Sequence, residues 1–166
     1  MDNHAFIDAQ NFHLSTTKAS APWRVDLARF RVYLSAKYKC SKAYYFIGAF
    51  DPRRECLYTA IQDSGFIIMF REHGMGLAGR KKGNVDVDIV FSVMRSICEQ
   101  EPFDGVVLVS GDGDYKRMVD YLIAKERFCK LLIPDWSRSS SLYRSIPGKF
   151  KGCLSDSGVR QKIERK

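Results

Sequence analysis

The sequence predicts an α/β protein built on a mainly parallel sheet, and three observations carry that expectation. Short runs rich in β-branched and aromatic residues alternate along the chain with longer stretches of helical periodicity. The spacing between successive apolar runs leaves room for a crossover helix, as parallel strands require. The run Val106-Val107-Leu108-Val109 has the composition of a strand buried on both faces. It breaks into Ser110-Gly111-Asp112-Gly113-Asp114, after which Tyr115, Met118, Val119, Leu122 and Ile123 recur at helical spacing. A strand-to-helix turn of this kind is where open α/β sheets place their ligand crevice.

The elements follow in order. Ala5-Phe6-Ile7-Asp8 reads as a first strand ending in a carboxylate. Residues 13–22 are small and polar and read as a connecting loop. A helix is expected over 23–39, with Val25, Leu27, Phe30 and Leu34 on its apolar side and Arg24, Arg29, Arg31, Lys37 and Lys39 on its basic side. A second strand over 42–48 leads to a helix over 51–64, with Pro52 near its start and Gly65 after its end. Residues 66–70 form a third strand. Four glycines with Arg80, Lys81 and Lys82 make 71–83 a basic loop placed to meet a substrate. Asn84 caps a helix over 85–100, in which Asp86, Val90, Val93 and Ile97 share the core-facing stripe and Asp88 points more towards solvent. The strand at 106–109, the helix at 114–126 and a fifth strand at 128–133 follow. A short helix begins at 139–143, and 150–154 is a last edge strand. The tail 155–166, with Arg160, Lys162, Arg165 and Lys166, is expected to be frayed or weakly helical, so residues 1–154 form the domain.

At 166 residues the chain suits one domain with a sizeable core. Mean hydropathy of -0.26 and an apolar fraction of 45% are ordinary for a soluble protein, and no run has the length of a membrane span. Five scattered cysteines without a C-x-x-C pair read as reduced thiols, mainly core filler, in an intracellular, cytoplasmic protein. The three histidines lack zinc-ligand spacing relative to them. The net charge is +8 and the pI is near 9.3, which suits a polyanionic partner read through its backbone.

Right-handed crossovers put the C-terminal ends of parallel strands on one edge. Asp8, the Asp112/Asp114 turn and the N-terminus of the helix carrying Asp86 therefore converge there. Each Asp taken alone is a good cap or turn residue. Gathered on one rim, they repel one another unless a proton or cation intervenes, and a divalent ion is the common reason for such a cluster.

Three segments carry a family resemblance. Phe6-Ile7-Asp8-Ala9-Gln10-Asn11 resembles an apolar-I-D-G-x-N motif. Lys82-Gly83-Asn84-Val85-Asp86 resembles K-G-x-x-D, and Ser110-Gly111-Asp112-Gly113-Asp114-Tyr115 resembles S-G-D-x-D-F/Y. In this order and spacing they look like the NYN domain, a branch of the PIN-like nucleases, over about residues 4–147. The resemblance implies a three-layer α/β/α Rossmann-like fold with five or six strands. It also implies a carboxylate pocket for Mg²⁺ or Mn²⁺ and hydrolysis of RNA phosphodiester bonds. Carried over by position, Asp8, Asp86, Asp112 and Asp114 form the pocket, Asn11 is its polar neighbour and Ser110 orients Asp112. Ala9 stands where the motif has Gly. Ser92 stands where many relatives have a further acid, for which Asp88 is the candidate substitute.

On this reading Arg80, Lys81, Lys82, Lys116, Arg117 and Arg138 hold RNA phosphates, and Tyr115 or Trp136 stacks on an unpaired base. Single-stranded or structured RNA is the expected partner, with no membrane and with a homodimer admissible. The alternative is a catalytically inactive RNA-binding or partner-binding module of the same fold. A metal-dependent phosphatase is disfavoured, because no Asp-x-Asp ends the first strand. A nucleotide-binding regulator is disfavoured too, because there is no G-x-x-x-x-G-K-[ST] loop.

Overall fold

A computed structural model describes residues 2–71 and 85–166. It shows a six-stranded parallel sheet in the order β3-β2-β1-β4-β5-β6. The strands are β1 (Asn3–Asp8), β2 (Cys40–Ile47), β3 (Ile67–Phe70), β4 (Gly105–Val109), β5 (Phe128–Ile133) and β6 (Lys151–Cys153). The helices are α1 (Ala9–Thr17), α2 (Leu27–Tyr38), α3 (Glu55–Asp63), α4 (Val85–Cys98), α5 (Lys116–Ala124) and α6 (Ser157–Ile163).

Period-two alternation divides the core into two layers. Ala5, Ile7, Val107 and Val109 pack with Phe12 of α1, Phe30 and Leu34 of α2, Ile61 of α3 and Ile163 of α6. Phe6, Val106 and Leu108 face the other way, against Val85, Ile89 and Val93 of α4 and Met118, Val119 and Leu122 of α5. The result is the expected three-layer α/β/α, Rossmann-like architecture. Its strand order reverses between β1 and β4, which are paired through Ile7 and Val109. The crevice outside the carboxyl ends of two such strands is the usual ligand site of an open α/β sheet.

Four expectations change. The polar stretch expected as a loop begins as helix α1. Thr16 and Thr17 return their hydroxyls to the carbonyls of Phe12 and His13, which hides helical character behind polar composition. Helix α2 starts later than expected, because Asp26 caps it by accepting from the Arg29 amide at 3.0 Å. Trp23 and Val25 belong instead to an extended segment, and Val25 bridges to Glu164. The tail is ordered: α6 packs on α2, Ile163 is fully buried and Arg160 lies over the Trp23 ring. Helix α4 buries Val85, Ile89, Val93 and Ser96, so it is rotated by about one position from the expected stripe. Its sequence is apolar nearly all round, and periodicity alone could not set that rotation.

Gly65 does end α3, with φ of +87° where side-chain-bearing residues are strained. Of the cysteines, Cys40 and Cys153 are core residues, whereas Cys56 and Cys98 are exposed, so core filling accounts for only part of the set. Among the described residues no helix is long and apolar enough to cross a membrane.

Candidate active site

Two strand ends build the floor of the site. Asp8 closes β1 on the same side as Phe6, and its Oδ1 caps α1 by accepting from the Asn11 amide at 2.9 Å. Beyond β4, Asp112 does the same for the next turn, its Oδ1 accepting from the Asp114 amide at 3.0 Å. Asn11 ties the two turns together, because its side-chain oxygen accepts from the Gly111 amide at 2.8 Å. Ser110 is fully buried between them. Its hydroxyl accepts from the Asp112 amide at 3.1 Å and lies 3.5 Å from Asp8 Oδ2, at the long end for a hydrogen bond. Asn11 and Ser110 thus link the ends of β1 and β4 by hydrogen bonds.

Three of the four expected carboxylates converge. Oxygen atoms of Asp86, Asp112 and Asp114 lie within 4.8 Å of one another, with Asp86 and Asp112 half-buried and Asp114 exposed. Asp8 sits behind this trio, buried at 4% exposure. Burial pushes its carboxyl up to about 6, with the Asp86 and Asp112 charges adding to the effect and the Asn11 and Tyr115 hydrogen bonds opposing it. Asp88 lies outside the trio, and one of its carboxylate oxygens is buried without a hydrogen-bond partner.

The side chain that joins Asp8 to the trio is Tyr115. Its hydroxyl lies 2.6 Å from Asp86 Oδ1 and 3.0 Å from Asp8 Oδ2. One phenolic hydroxyl thus bridges the two carboxylates. Burial and the two neighbouring Asp charges push the phenol far above its ordinary range, so it stays protonated. Tyr115 is fully buried and cannot stack on a base as the sequence suggested. The signal for its actual place was present: an aromatic with a polar tip, directly after two carboxylates, opening an apolar stripe. Tyr143, also missed, buries its ring and donates its hydroxyl to the Asp112 carbonyl.

A cleft of about 340 Å³ opens over these groups, lined by Asp8, Asn11, Asp86, Asp112, Arg138 and residues of α1. Arg138 is exposed and donates to the Lys18 carbonyl at 3.3 Å. Arg117 is exposed as well. Lys116 differs from expectation. It is half-buried and ion-paired with Asp120 one turn along α5, which ties up its charge. Arg80, Lys81 and Lys82 lie outside the described residues.

A parallel sheet with an acidic crevice at its switch point, reached by two Asp-capped turns, is consistent with a PIN-like, Rossmann-like fold. The chain belongs to the NYN domain family, whose model matches residues 5–150. It is 26% identical over 139 residues to the low amplitude and bright protein LabA of Synechococcus elongatus, an alignment covering 78% of this chain and 72% of that protein. The crystal structure of a Vibrio parahaemolyticus protein of unknown function, VPA0982, superposes with a TM-score of 0.75 at 20% identity, covering 99% of this chain and 96% of that one.

Proposed function

We propose that the protein is a metal-dependent endoribonuclease. The observation that carries this reading is the oxygen-only donor set of Asp86, Asp112 and Asp114 at the switch point of the sheet. Hard carboxylate oxygens at this separation fit Mg²⁺ or Mn²⁺ better than softer ions. A bound ion would supply charge to the phosphorane-like transition state and acidify a water. Asp112 and Asp114 are held to the task by their shared turn, since the Asp114 amide donates to the Asp112 side chain. Asp86 is oriented by the Tyr115 hydroxyl. Asp8 backs the trio and holds a proton below about pH 6 while the cleft carries no cation. Asp88, outside the trio, is given no ligand role in this reading. RNA, single-stranded or structured, is the proposed substrate. The net charge of +8 favours a polyanion, and Arg138 on the cleft wall, with Arg117 and Arg80 to Lys82, is proposed to hold its phosphates.

The test is incubation of the purified protein with labelled single-stranded RNA and Mn²⁺ or Mg²⁺. EDTA and Asp112→Asn serve as controls. Cleavage abolished by either control supports the reading. Cleavage that survives both comes from a contaminant and sinks it. RNA binding without turnover in any metal supports the inactive module, and hydrolysis of a small phosphomonoester but not RNA supports the phosphatase.

A further inference from the structure

A second recess of about 320 Å³ opens beside the carboxylate cleft. Trp136, Ser139, Ser140, Tyr143, Arg144 and Lys151 line it. It shares a wall with the cleft. The Ser140 amide donates to the Gly111 carbonyl at 2.8 Å, and Tyr143 donates to the Asp112 carbonyl. Arg138, which lines the cleft, stands between Trp136 and Ser139 in the chain. A strand of polymer leaving the trio on this side would therefore cross into the recess.

The lining is chemically one-sided. It holds two cations and no carboxylate. Lys151 donates to the Tyr143 carbonyl at 2.9 Å. The Arg144 guanidinium is exposed and makes no hydrogen bond or ion pair among the described residues. The Ser139 hydroxyl donates to the Trp136 carbonyl at 2.9 Å, whereas the Ser140 hydroxyl accepts from the Leu142 amide at 3.3 Å and keeps its proton as a neutral donor. The indole of Trp136 is 47% exposed, whereas the other tryptophan, Trp23, is 3% exposed in the core. An open aromatic face beside a free guanidinium and a hydroxyl donor matches the two halves of a nucleotide, a flat base and an anionic phosphate.

We propose that this recess is a nucleotide subsite that seats one unpaired residue of an RNA strand engaged at the carboxylate cleft. Trp136 stacks on the base, and Arg144 with Lys151 neutralises the adjoining phosphate. The ligand assignment rests on the ribonuclease reading, and it narrows the substrate to RNA with unpaired bases, because a base held in a duplex cannot present its face to the indole.

The experiment is a binding titration in EDTA, where the proposed cleavage does not run. The probe is a labelled single strand of about ten nucleotides, a length typical of such grooves, and a duplex of the same sequence is the comparison. Anisotropy reads affinity, and intrinsic tryptophan fluorescence reads Trp136, since Trp23 is buried. The single strand is expected to quench the emission and to bind tighter than the duplex. Trp136→Leu should weaken binding about tenfold, within the range for loss of one stacked base, and Trp136→Phe should restore most of it. Arg144→Ala should lower the slope of log affinity against log salt by about one phosphate contact. Unchanged affinity in Trp136→Leu, equal binding of duplex, or no binding of the single strand by the wild type overturns the subsite. Quenching that persists in a protein with no turnover in Mn²⁺ supports the subsite and removes the ribonuclease. Turnover with unchanged affinity in Trp136→Leu does the reverse.

Discussion

The turns after β1 and β4 look alike in the sequence and behave differently in the fold. Each follows a buried parallel strand, β1 closing on Asp8 and β4 running on through Ser110-Gly111 to Asp112, and each Asp caps the helical turn that follows. Asp8 is shut in beneath Tyr115 and Ser110, and burial pushes its carboxyl up to about 6. Asp112 is half-buried, opens on the cleft and converges with Asp86 and Asp114. Capping is thus the common local task, and burial divides the further duties. The more open turn faces the cleft, while the enclosed one carries a carboxyl that takes up a proton below about pH 6.

Four experiments break or sharpen this comparison. The largest effect is expected at Asp112. Asp112→Asn keeps a good cap, so the change in stability should stay within about 0.5 kcal/mol. Cleavage of RNA in Mn²⁺ should fall by at least about 100-fold, the scale of several kcal/mol of lost charge stabilisation. Parallel melting curves and single-turnover assays separate the two effects.

Asp8→Asn should do the opposite to stability. A carboxyl raised in the folded state binds its proton more tightly there than in the unfolded chain. Its contribution is complete below about pH 4 and is lost as pH rises through about 6. In EDTA the wild type should therefore lose on the order of 2–3 kcal/mol between those limits through this group. Asp8→Asn should be flatter, and more stable than wild type above pH 7, as read by urea denaturation across pH. Equal pH profiles for the two proteins would show that Asp8 is not held as described.

Gly113 tests how closely the β4 turn must approach its cover. A Cβ there would stand 2.3 Å from Ser140 Oγ and 2.8 Å from its Cβ. Gly113→Ala should destabilise by about 2 kcal/mol, the usual range for overpacking, and Ser140→Gly in the same chain should recover part of it. The smallest effect is expected at Tyr115→Phe. Losing the phenolic donor should cost about 1 kcal/mol near neutrality. It should also move the Asp8 midpoint upward, because that hydrogen bond favours the ionised carboxylate.

The sequence by itself determined the alternation of strands and helices, the parallel sheet and the gathering of acidic turns on one edge. These rest on local signals: β-branched runs, helical periodicity and Asp caps. Asn11 and Ser110 enter through the family resemblance and not through a local signal. Tertiary structure decided the rest. The rotation of α4 depended on which face of an almost uniformly apolar helix met the sheet. Tyr115 could be read locally as a base-stacking side chain, and only the packing of the Gly113–Tyr115 turn against α4, beside the end of β1, shows it as the buried link between two carboxylates. Lys116 was a free cation in the sequence, and one turn of α5 gave it Asp120. Local chemistry sets which groups can cap, stack or ionise. Burial and the choice of neighbours, which depend on residues as much as 107 positions apart, decide which of those they do.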